Sequence, residues 1–184
     1  MRAVAGFTMT ELMVVIAIVG FLMALGVPSY RYITNANRVS AEVNGLLGDL
    51  MLARSEAIKQ GQSVSVCPSS DGATCVGTSG TTWQGGWIVF NDSNGNGTVD
   101  TGETILRVQK AFTTTTDTFT SDTAGMTYVT FNREGFAVGQ PTTTNNYVTI
   151  VLHTSPTNNQ WTRCLQITTF GMLSTERYGQ GACQ

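Results

Sequence analysis

The clearest chemical pattern in this chain lies between Asp92 and Glu103, where acidic and amide side chains alternate with small residues. The stretch fits the calcium-loop pattern D-x-[DN]-x-[DN]-G-x5-E, in which oxygen ligands wrap one cation and Gly97 allows the sharp turn. The candidate ligands are Asp92, Asn94, Asn96, Thr98, Asp100 and Glu103. Strand-like sequence flanks the loop, and the same composition suits a polar hairpin turn. The pattern therefore predicts either a calcium site or a plain turn, and no other cofactor is indicated.

The four cysteines form two sequence-local pairs, Cys67 with Cys75 and Cys164 with Cys183. Neither pair has the short spacing of a zinc site, and the chain contains a single histidine, so zinc is a poor fit. Four cysteines allow three disulfide connectivities, of which local pairing is the simplest. Four reduced, buried thiols are the alternative. Disulfides would indicate a secreted domain.

Catalytic chemistry has little support in the sequence. His153 lies in a strand-like stretch with Thr154 and Ser155 beside it. A nucleophile elbow of the G-x-S-x-G type is absent, and so are phosphate-loop and dinucleotide-binding fingerprints. We expect His153 to be structural or exposed, and we expect the chain not to be an enzyme.

Charged residues are scarce. They make up 12% of the chain, and the formal net charge is -2, whereas charged residues are about 25% of a typical soluble domain. No overall field therefore attracts nucleic acid or anionic lipid. The wealth of Gly, Ser, Thr and Asn is typical of extracellular β-rich bacterial proteins.

An apolar segment at the N terminus precedes all of these candidate sites. Every side chain from Phe7 to Val27 is apolar, small or hydroxylic except Glu11. As a helix, these residues can span a hydrocarbon core of about 30 Å. The segment is a poor fit to an ordinary secretory signal. An ordinary membrane anchor would not explain Glu11, because a carboxylate in an apolar helix requires a partner.

Periodic apolar residues predict that the helix continues beyond Pro28. They recur at steps of three and four, which is the pattern of an amphipathic helix with one buried face. These residues are Val39, Val43, Leu46, Leu50, Ala53 and Ala57. Gly61 is the expected C-terminal stop. The sequence therefore predicts one helix from Phe7 to Gln60, with a separate coiled-coil partner helix as the alternative.

Alternating apolar and polar residues beyond Gly61 predict short strands, and no second helix pattern appears. The predicted strands are Ser63–Cys67, Gly86–Phe90, Thr104–Val108, Thr127–Asn132, Tyr147–Leu152 and Arg163–Thr168. A hairpin turn is expected at 132–135, and 113–123 is expected to be an exposed connection or an irregular strand. Five aromatic residues are expected to pack in the core or at sheet edges: Trp83, Trp87, Phe90, Phe131 and Phe136. The predicted fold class is α+β, with one long helix followed by an antiparallel sheet domain.

The order Gly6-Phe7-Thr8-Met9-Thr10-Glu11 before an apolar run resembles the N terminus of type IV pilin-like precursors. The segment from Leu50 to Ala57 is similar to the helix end of the FimT, FimU and GspH group of minor pilins and pseudopilins. The resemblance implies the type IV pilin-like fold, with a long N-terminal helix packed on the sheet domain. It also implies a cleaved class III leader at 1–6, a transmembrane and filament-core half of the helix at 7–28, and a periplasmic or extracellular pilin domain at 29–184.

The resemblance further assigns roles to individual residues. Prepilin peptidase would cut between Gly6 and Phe7 and methylate the new amino terminus on Phe7. Glu11 would pair with the terminal amine of a neighbouring subunit, and Pro28 stands where these proteins often carry a kink-forming proline. The Cys164–Cys183 pair would tie back the tail, as in FimU.

The implied function is that of a minor pilin, a structural subunit that primes type IV pilus assembly and stays near the tip, in pilus biogenesis, twitching motility and adhesion. Its partners would be other minor pilins, the major pilin and the prepilin peptidase. It would lie in the inner membrane as a single-pass protein before joining the pilus on the cell surface. A GspH-like minor pseudopilin of type II secretion is the alternative.

DNA binding is a third function that the resemblance raises, because some FimT-type pilins capture DNA. Their basic Gly-Arg-x-Arg motif is absent here, since Gly171 is followed by Met172, Leu173 and Ser174. Arg163 and Arg177 remain as the candidate phosphate contacts, with Arg133 or Lys110 as further alternatives. Phosphate binding requires several such charges together, so DNA is not the favoured partner.

Overall fold

The helix α1 runs from Met9 to Gln60 in the computed structural model, which describes residues 6–77, 82–114, 116–123, 125–139, 146–181 and 183. The predicted leader therefore lies outside the described residues except for Gly6. The N–H of Gly61 donates to the carbonyl of Ala57 at 3.0 Å, and Gly61 adopts a φ of 69°. Only glycine adopts this conformation at little cost, so the helix ends where the sequence predicts.

The described chain forms two compact units, one up to Arg38 and one that starts at Val39. In the first unit, the apolar side chains of α1 from Leu12 to Ile33 are exposed. Pro28 lies inside the helix without ending it. Because proline has no N–H, the helical hydrogen bond at this position is missing.

In the second unit, nine strands are described after α1 and form two antiparallel sheets. The first sheet has the order β3-β2-β1-β5-β6 and the second has the order β4-β7-β8-β9. The strands are β1 (Val64–Pro68), β2 (Gly86–Asn91), β3 (Ile105–Lys110), β4 (Thr118–Ser121), β5 (Val129–Phe131), β6 (Ala137–Val138), β7 (Tyr147–His153), β8 (Arg163–Thr168) and β9 (Leu173–Arg177).

All six predicted strands are present, and two further strands, β6 and β9, were not predicted. The strand β4 lies within 113–123, where an irregular strand was one of the two expectations, and β6 has only two residues. The strand β9 is an edge strand with both faces largely exposed, so its sequence lacks an apolar side. The turn at 132–135 is confirmed, because the N–H of Gly135 donates to the carbonyl of Asn132 at 2.9 Å.

One hydrophobic core joins the helix to both sheets within the second unit. All six residues of the predicted apolar stripe, from Val39 to Ala57, are buried. They contact Val64, Val129 and Phe131 of the first sheet and Ile150 and Leu165 of the second, among others. Trp83, Trp87, Phe90 and Phe131 are buried as expected, whereas Phe136 is partly exposed at the end of a hairpin. The structure thus has the predicted α+β layout, with a long helix packed on antiparallel sheets.

Candidate functional site

Glu11 forms a capping box with Thr8 at the start of α1. The N–H and the hydroxyl of Thr8 both donate to Oε2 of Glu11 at 2.9 Å, and the N–H of Glu11 donates to Oγ1 of Thr8 at 3.2 Å. This reciprocal arrangement satisfies N–H groups that a helix start otherwise leaves unpaired. This cap was not predicted, although the Thr-x-x-Glu spacing that indicates it is visible in the sequence. The carboxylate therefore has a partner within its own chain.

The helix behind this cap can cross a membrane by length and composition. Its most apolar 18-residue window has a mean hydropathy of 2.5, and none of that window is buried. Phe7, in front of the cap, is exposed. The first unit therefore presents an exposed aromatic residue, a carboxylate and a continuous apolar surface, which are the elements to which the resemblance gives roles in processing and assembly.

Asp49 is a buried acidic residue of α1 that does not belong to the predicted apolar stripe. Its Oδ2 accepts a hydrogen bond from the indole N–H of Trp87 at 2.8 Å. Its Oδ1 lies 2.8 Å from Nε of Arg107. Buried charges are tolerated when they are paired and hydrogen-bonded. Asp49 therefore connects α1 to β2 and β3.

Both cysteine pairs are local disulfides. Cys67 is bonded to Cys75, and Cys164 is bonded to Cys183. The first closes the loop after β1, and the second ties the chain end to β8. The structure thus contains the simplest of the three connectivities.

The Asp92–Glu103 loop is closed by its own hydrogen bonds. The buried carboxylate of Asp92 accepts from the N–H groups of Gly95, Asn96 and Gly97, at 2.7, 3.1 and 2.9 Å. It also accepts from the hydroxyl of Ser65 at 2.5 Å. Both of its oxygens are thus used by the protein.

The other candidate calcium ligands are arranged in the same way. Asn94 and Asn96 direct their amide N–H groups at Oδ2 of Asp100, at 2.8 and 2.9 Å, and Oδ1 of Asn96 accepts from the N–H and the hydroxyl of Thr98. Glu103 accepts from the backbone of Ser93 and of Asp100. Among the described residues, no group of three or more His, Cys, Asp or Glu side chains could hold a metal. In this arrangement the loop is closed by hydrogen bonds among its own residues, as in a plain polar turn, and calcium binding by it stays a prediction.

Two family models match the chain. One is described as Type II transport protein GspH and matches residues 42–171, which is more than half of the chain. The other is described as Prokaryotic N-terminal methylation motif and matches residues 1–27. The chain belongs to the GspH family. It is therefore a structural subunit of the minor pilin and pseudopilin group, and this kind of protein is in general not enzymatic.

Known proteins resemble parts of this GspH-family chain. Two fimbrial proteins of Pseudomonas aeruginosa are each 38% identical over 64 residues, which are 35% of this chain and 41% of the relative. The chain thus matches about two fifths of the length of these curated relatives. The minor pilin FimU of Pseudomonas aeruginosa superposes with a TM-score of 0.55 and 21% identity, over 80% of this chain and 92% of FimU. A second crystal form of FimU gives a TM-score of 0.51 and 23% identity, over 75% and 90%. This likeness establishes the pilin-like fold.

Arg163 and Arg177 lie directly opposite each other on the GspH-family domain. They are paired residues in the register of β8 and β9. Both line a polar pocket with Glu176, Thr175 and Gln180. Nη1 of Arg163 donates to the carbonyls of Gln160 and Thr162, at 2.9 and 2.8 Å. The structure thus brings together the two predicted phosphate contacts, with a carboxylate beside them.

His153, the last residue of β7, contacts a hydroxyl group. Its Nδ1 lies 3.3 Å from Oγ1 of Thr162. Ser155 reaches the buried Asp117 through its backbone N–H, at 3.4 Å.

Proposed function

We propose that this GspH-family chain is a minor pilin of the type IV pilus, which helps to prime pilus assembly and stays near the tip. We favour the pilus over the secretion system because the chain is 38% identical over 64 residues to fimbrial proteins of Pseudomonas aeruginosa. The likeness to the fold of the minor pilin FimU is consistent with it. Twitching motility and adhesion would follow from the pili that the chain helps to build.

The N-terminal unit would carry processing and assembly. Prepilin peptidase cuts between Gly6 and Phe7 and methylates Phe7. Residues 7–28 hold the subunit in the inner membrane and later lie in the filament core, whereas residues 29–184 are exposed outside the membrane. The missing hydrogen bond at Pro28 lets the helix bend as it leaves the bilayer.

Glu11 would be the docking group. Both of its hydrogen bonds to Thr8 end on Oε2, so Oε1 can accept from the terminal amine of a neighbouring subunit. A carboxylate in an apolar filament core is costly unless it is paired, and the amine carries the opposite charge. The partners are other minor pilins and the major pilin.

A minor pseudopilin of type II secretion is the second candidate, because the family model over residues 42–171 is itself described as a type II transport protein. Deletion of the gene separates the two functions. The pilus function is supported if the deletion strain loses surface pili and twitching but secretes protein normally. In the parent strain, gold-labelled antibody against the chain should bind at pilus tips. Normal pili together with a loss of secreted enzymes from the medium would overturn the pilus function in favour of the secretion system.

A further inference from the structure

Five large apolar side chains form a continuous exposed surface on the second unit, which we name the apolar face. They are Met51, Ile58, Phe136, Phe170 and Met172, and each is between 44% and 67% exposed. Two come from α1, one from the hairpin between β5 and β6, and two from the turn between β8 and β9. A monomeric soluble domain rarely exposes such a contiguous group unless it contacts something.

The apolar face is held in place by contacts between its three elements. The N–H of Ala137 donates to the carbonyl of Thr169 at 3.0 Å, which joins the hairpin of the first sheet to the turn of the second. Nε of Arg54 on α1 donates to the carbonyl of Gly135 at 3.0 Å. The rings of Phe136 and Phe170 meet edge to face with centroids 6.5 Å apart. The three elements that carry the exposed side chains are therefore held to one another by direct contacts.

Two glycines permit this close approach. Gly135 and Gly171 have φ values of 82° and 74°, in the region that disfavours other residues. A side chain at Gly171 would collide with the carbonyl of Gly135. Beside this contact, a groove of about 480 Å³ lies between α1 and the start of β9, lined by Met51, Ile58 and Met172 among others.

The size of the apolar face indicates what kind of contact it can make. Five half-exposed side chains of this size offer roughly 500 Å² of apolar surface. A stable interface between two free proteins buries about 800 Å² on each partner. The apolar face is therefore too small to hold a dimer in solution. It is large enough for a contact between subunits that a shared membrane or filament already keeps together, because tethering raises their effective concentration.

We propose that the apolar face is the docking surface for the globular domain of a different pilin-like subunit, one that has its own N-terminal methylation helix and presents apolar side chains. The inference rests on the proposed function, in which this chain is a minor component surrounded by other pilins. One apolar side chain of the partner fills the groove beside Met172, and the rings of Phe136 and Phe170 cover the rest of the contact.

Photo-cross-linking in the producing cells tests this proposal. A photoreactive benzoyl-phenylalanine replaces Phe170 in the full chain, or Val108 as a matched control. Val108 is 48% exposed on β3, at the opposite edge of the first sheet from β6. We expect position 170 to form a cross-link to another protein with the methylation motif, identified by mass spectrometry, and position 108 to form none. Adding Met172→Glu to the position 170 variant should abolish the cross-link. Normal disulfides and tryptophan fluorescence would show that each variant is folded.

Several results would overturn the docking proposal. The first is an equal cross-linking yield from positions 170 and 108, and the second is a cross-link only to a second copy of this chain. The third is the absence of a cross-link from position 170 in a strain whose pili are shown, by deletion of the gene, to depend on this chain. The last result leaves the pilus function standing. A specific cross-link to a subunit of the secretion filament would support the docking proposal and contradict the pilus function, because the apolar face would then contact a subunit of the other system.

Discussion

The indole N–H of Trp87 donates a 2.8 Å hydrogen bond to Oδ2 of Asp49, and both residues are buried. Trp87 in turn contacts Phe112 and Phe119 edge to face, with centroids 6.0 and 6.5 Å apart. A single carboxylate on α1 is thus attached to an aromatic cluster that draws on both sheets, through Trp87 of β2 and Phe119 of β4. The hydrogen bond fixes the part of α1 in the second unit to the sheets on which it packs.

Replacing Asp49 should therefore weaken the domain. Asp49→Ala leaves a buried indole N–H without an acceptor, and we expect it to cost about 2–3 kcal/mol of unfolding free energy. Asp49→Asn keeps an acceptor for Trp87 and loses mainly the ion pair with the half-exposed Arg107, so its cost should be about 1 kcal/mol or less. Tryptophan fluorescence during urea unfolding of the full chain in detergent measures both. Equal stability of the two variants would contradict this role of the Trp87 hydrogen bond.

Variants of Glu11 separate its charge from its capping hydrogen bond. Glutamine can replace glutamate in a capping box, so Glu11→Gln should keep the helix start and lose the charge, whereas Glu11→Ala loses both. We expect both variants to be cleaved and methylated at Phe7, as measured by mass spectrometry, and to accumulate in the membrane without entering filaments. Filaments that contain the glutamine variant at wild-type levels would exclude charge pairing as the assembly contact.

The Asp92 loop should be stable without calcium. Its carboxylate is saturated by four donors, so adding calcium or a chelator should leave the thermal midpoint of the full chain unchanged. Asp92→Ala should cost about 3 kcal/mol, because it leaves the buried N–H of Gly97 without its acceptor and removes one partner of the Ser65 hydroxyl. Asp100→Asn, at an exposed position, is the matched control and should have a small effect. A calcium-dependent rise in the midpoint that Glu103→Gln removes would instead support the predicted calcium site.

DNA binding through Arg163 and Arg177 should be weak and only modestly sensitive to salt. Two phosphate contacts give a slope of about -1.8 for log K against log salt concentration. We expect gel shifts of the full chain to disappear at physiological ionic strength and the double alanine variant to remove what remains at low salt. Arg133→Ala is the control, because Nε of Arg133 is paired with Glu134 at 2.7 Å. A slope several times steeper would show that a larger basic surface takes part.

The loop closed by Cys67 and Cys75 should lose stability in acid. Hydrogen bonds from the backbone N–H groups of Thr74 and Ala73 hold the pKa of Asp71 well below its usual range. A lowered pKa in the folded state contributes stability above the unfolded value of about 4, and that contribution is lost as the pH falls further. The thermal midpoint of the wild type should therefore fall more between about pH 5 and about pH 2 than that of Asp71→Asn. Parallel pH profiles would contradict the assignment.

The helix and six strands could be predicted because their signals are local. The steps of three and four from Val39 to Ala57 and the alternation in Tyr147–Leu152 each report the face that is buried. Asp49 could not be placed in the same way, since its partners Trp87 and Arg107 lie far along the chain and only the sheet brings them near. Sequence spacing gave no warning that Asp49 is buried.

The candidate sites also differ in whether their residues are close together in the sequence. Thr8 and Glu11 are three residues apart, so their capping box is visible in the sequence. The Asp92 loop matches a calcium pattern because that pattern specifies residue types, whereas the direction in which each amide points is decided by the folded turn. The apolar face was not visible at all, since Met51 and Met172 meet only after both sheets have formed.

The two oxygens of Glu11 can have separate duties. Oε2 accepts from the N–H and the hydroxyl of Thr8, whereas Oε1 takes no part in the cap. Thr8 therefore sets the direction in which the carboxylate points before any neighbour arrives, and the encounter does not have to spend entropy on orienting it. In a Thr8→Val subunit, Glu11 would keep its negative charge, but the hydroxyl that helps to orient its carboxylate would be missing.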